Sequence, residues 1–154
     1  MKLCGAKIVP AAPVPQILVN QITQCTTCAF LPEEIQAIGW AYQALAIAAE
    51  KDPQFCKLID AAIFFFDNDE VAITIEDAPS VRGHFLPTIL IPLHRWRASQ
   101  YGSKQILVIM LEELCHCFFL IRDELEVKKK VTEVFQYIRP GTNINELYRN
   151  LDGL

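Results

Sequence analysis

Three ionisable side chains, Glu112, Glu113 and His116, fall within five consecutive positions of ILVIMLEELCHCFFLI, residues 106–121. Thirteen of these sixteen residues are apolar. At helical spacing they cover every face, the pattern of a helix buried all round. A carboxylate left ionised and unpaired in such a place costs several kcal/mol or has its pKa forced upward. The group therefore calls for a counter-charge, and a metal cation is an economical one. Glu112 and His116 are i and i+4, which stacks their side chains on one helix face with Cβ atoms roughly 6 Å apart. Two groups so placed can hold one Zn²⁺. Glu113 lies about 100° round the helix, where it reaches a water on that metal rather than the metal itself.

The stretch LEELCHCFF resembles the active-site helix of the zincin metallopeptidases, whose signature is H-E-x-x-H in an apolar helix. The resemblance implies that Glu113 takes the place of the catalytic general base and His116 that of a zinc ligand. Glu112 stands where the first histidine belongs. A carboxylate also ligates zinc, but its negative charge makes a bound water less acidic, so a relative that has lost catalysis carries the same resemblance. In glutamate-type members the third ligand comes from a following helix. Asp123, Glu124, Glu126 and Glu133 are the acidic candidates, and Glu124 is the one chosen. A straight helix would carry Asp123 about 10 Å along the axis from His116, so a bend is needed near residues 121–123, where neither Gly nor Pro marks one.

Two functions of different class follow. One is a zinc-dependent, peptidase-like hydrolase with metal ligands Glu112, His116 and Glu124, base Glu113, and a peptide lying along an edge strand at 84–93. The other is a catalytically inactive zincin-like or other α+β protein that binds a protein partner as an interaction or regulatory module. The plain reading of the helix is that Glu112 and Glu113 emerge at a cleft or pair with Arg95, Arg97 or Arg122, leaving His116 as a hydrogen-bonded core histidine. A di-iron bundle is disfavoured because no second E-x-x-H occurs. No G-x-G and no G-x-S-x-G is present, which removes the common phosphate loop and the serine nucleophile elbow.

The rest of the composition narrows the class. With 14 basic and 18 acidic residues the net charge is −4, and Lys128-Lys129-Lys130 is the only basic run. Nucleic acid is therefore not an expected partner, and the lysines read as a solvated helix face. No segment reaches the roughly 20 apolar residues of a membrane span. Pro10, Pro13 and Pro15 interrupt what would be the apolar core of a signal peptide, so the expected location is cytoplasmic with reduced thiols. Cys115 and Cys117 point about 200° apart on a helix, which disfavours a four-cysteine zinc site with Cys25 and Cys28 and leaves buried, inert thiols.

The elements that must position the Glu112–His116 segment are legible by period. Residues 1–31 read as an extended, Pro-rich N-terminal arm, and 32–154 as an α+β core, together one domain. A helix opens at Pro32, with Glu33 and Glu34 complementing its N-terminal dipole. It carries the stripe Ile35, Ile38, Tyr42, Leu45, Ala49 and ends at Lys51-Asp52-Pro53. Residues 54–60 suggest a further helical turn. Ala61–Phe66 and Glu70–Glu76 read as a β-hairpin about Asp67-Asn68-Asp69, and His84–Leu93 as a third strand kept to a sheet edge by Pro87 and Pro92. The expected sheet is thus small and antiparallel or mixed, packed on the metal-type helix in a zincin-like layout. That helix should run from Ser103 as N-cap to about Arg122. A further helix carries Val127, Val131, Val134, Phe135 and Ile138, and Asn143–Glu146 forms a capping box for a short last helix.

Overall fold

The structure, a computed structural model, describes residues 12–68 and 87–149. Within them the order is a 3-10 turn (Gln16–Leu18), β1 (Ile22–Thr26), α1 (Pro32–Lys51), β2 (Ala61–Phe66), β3 (Thr88–Pro92), α2 (Leu93–Ala98), α3 (Ser103–Phe118), α4 (Glu124–Gln136) and α5 (Ile144–Tyr148). The strands form one sheet in the order β1-β2-β3. Both pairings are parallel, with Ile22 opposite Ala61 and Ala62 opposite Thr88.

This corrects the antiparallel or mixed sheet read from the sequence. The described sheet is wholly parallel, within a chain that is still α+β. The physical reason lies in β2. AAIFFF is buried along almost its whole length, as a central parallel strand covered on both faces must be, and such strands read as continuous rather than alternating apolar runs. Its two faces meet different partners. Ala61, Ile63 and Phe65 join the main core, while Ala62 and Phe64 join Cys25 in a separate small cluster. Parallel neighbours need a crossover of a dozen or more residues, and α1 supplies the one between β1 and β2. The expected hairpin partner, residues 70–76, lies outside the described residues. β3 is an outer strand of the described sheet; of the expected 84–93, residues 84–86 lie outside the described residues, and Leu93 opens α2 instead of ending the strand.

β1 and the turn before it fall inside the stretch expected as an arm. Ala12, Leu18, Ile22 and Cys25 are buried there. Gln24, also buried, is satisfied by giving a hydrogen bond to the Ala12 carbonyl (2.8 Å) and accepting from the Ala12 N–H (3.2 Å) and the Tyr42 hydroxyl (3.1 Å). Ile-Thr-Gln-Cys-Thr lacks the apolar alternation that marks a strand, which is why its sequence conceals it.

Helix α1 begins at the expected proline, and its first turn is closed by Glu34, whose Oε2 accepts the Leu31 N–H at 2.8 Å. Ala37, Ala41, Ala44 and Ala48 are fully buried; these small side chains let α1 and α3 approach closely. Residues 54–60 run as turns rather than as a helix. Asp123 and Asn143 cap α4 and α5, accepting the Glu126 N–H (2.9 Å) and Glu146 N–H (3.0 Å). Among the described residues, no helix is long and apolar enough to cross a membrane.

Candidate functional site

Helix α3 is not enclosed on all sides. Ile106, Leu107, Val108, Met110, Leu111, Leu114, Cys115 and Phe118 are buried, whereas Gln105, Ile109, Glu112, His116 and Cys117 are half-buried and Glu113 is exposed. These six follow one another at helical spacing and make a single open stripe, so the carboxylates are within reach of water. Apolar residues within the stripe, Ile109 and Cys117, disguised it in sequence.

The helix also ends three residues sooner than its apolar run. It stops at Phe118, the Phe119 N–H returns to the Cys115 carbonyl (3.0 Å), and Leu120 adopts a left-handed backbone with φ of 56°. That reversal, made without Gly or Pro, folds residues 119–123 back beside α3 and starts α4 close to His116. The Ile121 carbonyl lies 2.7 Å from His116 Nδ1. A carbonyl only accepts, so Nδ1 carries the proton and Nε2 is left facing outward. Glu124 Oε1 lies 3.7 Å from Nε2, an ion pair only when the ring is protonated. The His116 side chain is 26 % exposed and that of Glu124 78 %.

Of the residues singled out in the sequence, the structure therefore brings His116 and Glu124 together, with Glu113 in electrostatic reach of both. Burial against the apolar wall raises the Glu113 carboxyl above its ordinary value; Glu124 adds to this and His116 opposes it. Glu112 is in electrostatic reach of Glu124 and Glu113 and also of Tyr148 and Lys128. Burial raises its carboxyl too, while the Tyr148 hydroxyl and Lys128 favour its charged form. The Tyr148 hydroxyl is buried and lacks a hydrogen bond of good geometry, so its link to Glu112 is one of proximity. Lys128 Nζ sits 5.2 Å from the centre of the Tyr148 ring.

Glu113, His116 and Cys117 line an open cleft whose other walls are Pro87, Thr88 and Ile89 at β3 and Ile121 and Arg122 beyond α3. The emergence of Glu113 at a cleft matches the plain reading of the helix. The arginine pairings envisaged there do not include Arg97, which instead holds Glu34 in a two-point ion pair, Nε to Oε1 and Nη2 to Oε2, both 2.8 Å. Cys117 is no nucleophile at neutral pH, because burial pushes its thiol up to about 11. Cys115, deep in the core, is raised further still for the same reason. Of the other histidines, His84 lies outside the described residues and His94 packs near Phe66, ring centres 6.0 Å apart.

The donor chemistry suits a divalent ion at one point. Two donors on one tetrahedral zinc, each about 2.0–2.1 Å from it, lie roughly 3.4 Å apart; His116 Nε2 and Glu124 Oε1 are close to that. A histidine whose second nitrogen donates to a backbone carbonyl is oriented as metal-binding histidines commonly are. Among the described residues, no group of three or more His, Cys, Asp or Glu is gathered to hold a metal, so His116 and Glu124 form an open, two-donor arrangement. The chain matches no protein-family model, no curated protein and no solved structure among those with which it was compared.

Proposed function

We propose that the cleft between α3 and β3 is the working site of a metal-assisted, peptidase-like hydrolase. In this reading His116 and Glu124 are zinc donors and Glu113 is the general base. The observation that carries it is the orientation of one ring: His116 Nδ1 held at 2.7 Å by the Ile121 carbonyl and Nε2 presented to Glu124 at 3.7 Å. Zinc bound there would supply Lewis acidity. Glu113, on the same wall, accepts the proton of an attacking water, and its raised carboxyl moves it toward the range in which a base works near neutral pH. The β3 wall offers a surface for an extended substrate, with the Arg122 guanidinium beside it. Glu112, in reach of Tyr148 and Lys128 as well as Glu124, stays outside this two-donor pair.

The test is zinc content of protein purified without chelators and dialysed against zinc, with casein hydrolysis measured alongside. Stoichiometric zinc is expected in the wild type, lost in His116→Ala and sharply reduced in Glu124→Ala. Glu113→Gln is expected to retain zinc and lose hydrolysis by about 10²–10⁴-fold.

A second reading, a non-catalytic protein-interaction module, is favoured by Leu120 at the reversal and Leu125 in the first turn of α4, exposed by 63 % and 59 %. A wild type that takes up no zinc selects this second reading.

A further inference from the structure

A different cleft lies nearer the N-terminal end of α3, six residues or about 9 Å of helix axis before Glu113. Its lining is Trp40 from α1, Lys104 and Leu107 from α3, and Phe135, Ile138 and Arg139 at the end of α4, around a volume of about 370 Å³. Trp40 is 47 % exposed, on a helix whose inward residues are mostly alanine. The floor is apolar, and among the described residues the charges on the wall are two cations. Lys104 Nζ donates to the Glu146 backbone carbonyl at 2.9 Å, which holds the ammonium in place without neutralising it. Arg139 forms no ion pair with another described residue. A patch of two positive charges stands out on a chain of net charge −4.

Exposed tryptophan and arginine around an apolar depression are the residue types that dominate binding energy at protein interfaces. The two cations set the sign of what fits. We propose that this groove docks an acidic segment of a protein partner. An apolar side chain of that segment sits against Leu107 and Phe135 under Trp40, and flanking carboxylates meet Lys104 and Arg139. The charges govern partner choice and the aromatic contact governs residence.

The probe is a synthetic peptide, acetyl-Glu-Glu-Leu-Phe-Glu-Glu-Leu-amide, titrated into the full chain with tryptophan emission as readout. Trp96 is buried, at 4 % exposure, so a shift reports on Trp40, and Trp40→Phe is the control that removes it. The expected result is a saturable blue shift, with apparent Kd raised about tenfold or more in Lys104→Glu/Arg139→Glu and no binding of the peptide with Lys in place of Glu. Both substituted side chains are exposed, and an unchanged urea midpoint verifies that the variant is folded. Absence of a saturable shift, equal binding of the basic peptide, or unchanged affinity in the double variant overturns the proposal. So does a concentration-dependent dimer dissolved by Trp40→Ala in sedimentation, which assigns the groove to a second copy of the chain.

Discussion

Glu34 is a carboxylate at 1 % exposure, tolerated because Arg97 grips both of its oxygens and the Leu31 N–H supplies a third hydrogen bond. Removing one partner of a buried pair leaves a charge without compensation, which costs about 3–5 kcal/mol when both are enclosed. The Arg97 side chain is 31 % exposed, so Arg97→Met should cost about 2–4 kcal/mol in urea unfolding, with part recovered in Arg97→Met/Glu34→Gln. Lys130 carries a second such network, with Asp52 at 3.1 Å, Gln54 at 2.9 Å and Glu133 at 2.7 Å. Burial disfavours its charge, but the bonds to Glu133 and Asp52 prevail and its pKa is raised. A raised lysine stabilises the fold fully below its unfolded value of about 10.4 and loses that contribution as pH climbs through the folded value. The stability gap between wild type and Lys130→Met should accordingly stay constant from about pH 6 to 9 and shrink above about 10.4. The sequence held the clue to this lysine. Position 130 is three residues after Val127 and four before Val134, on the apolar stripe of α4, although the Lys128–Lys130 run as a whole reads as solvated.

At the scale of elements, the reversal after α3 decides where Glu124 goes. Leu120 holds a left-handed φ of 56°, a conformation that costs an L-residue about 1–2 kcal/mol and is worse for a β-branched one. Leu120→Val should destabilise by about 1–2 kcal/mol in thermal or urea unfolding. Leu120→Gly should be near neutral, since relief of strain is offset by a freer unfolded chain. Gly102 rather than Ser103 caps α3, and Asp123, read from the sequence as a candidate ligand, caps α4, but the opening of α1 and the cap of α5 were legible because Pro32 and Asn143 act locally. The stop at Phe118 was not, because no residue of CFFLIRDE breaks a helix and the turn is imposed by packing. The same reversal supplies the bend that a Glu124 ligand requires; the sequence asked for it near residues 121–123, and it falls at Leu120. Close packing of α1 on α3 gives a further expectation: Ala44, fully buried, leaves no room for Leu, and Ala44→Leu should cost about 1–3 kcal/mol by overpacking.

For the molecule as a whole, the parallel sheet is what the local pattern concealed. Ala61–Phe66 was legible as a strand, but a continuous apolar run followed by Asp-Asn-Asp suits both a hairpin and a buried parallel strand, and only long-range pairing with β1 distinguishes them. β1 itself was hidden by the polar Thr23 and Gln24. Phe65 is the test of this architecture: it is 1 % exposed and meets Phe30 edge to face at 5.0 Å. Phe65→Ala should cost about 3–5 kcal/mol in a single cooperative urea transition. Of the candidate site, the neighbourhood of His116 and Glu124, 3.7 Å apart, was within reach of the sequence as residue types. Its solvent access was not, because Ile109 and Cys117 on the open stripe made α3 look enclosed. The carboxylates sit partly against the apolar wall and partly open to water, and a cation there is supported chiefly by the posture of one imidazole.

That posture is directly observable. Long-range proton–nitrogen correlation spectra of the imidazole rings, recorded with and without zinc, distinguish the tautomers and report which nitrogen takes up metal. His116 is expected to carry its proton on Nδ1, and zinc to shift Nε2 in the wild type but not in Glu124→Gln. A ring protonated on Nε2 in its neutral form, or an Nε2 signal unmoved by zinc, would contradict this expectation.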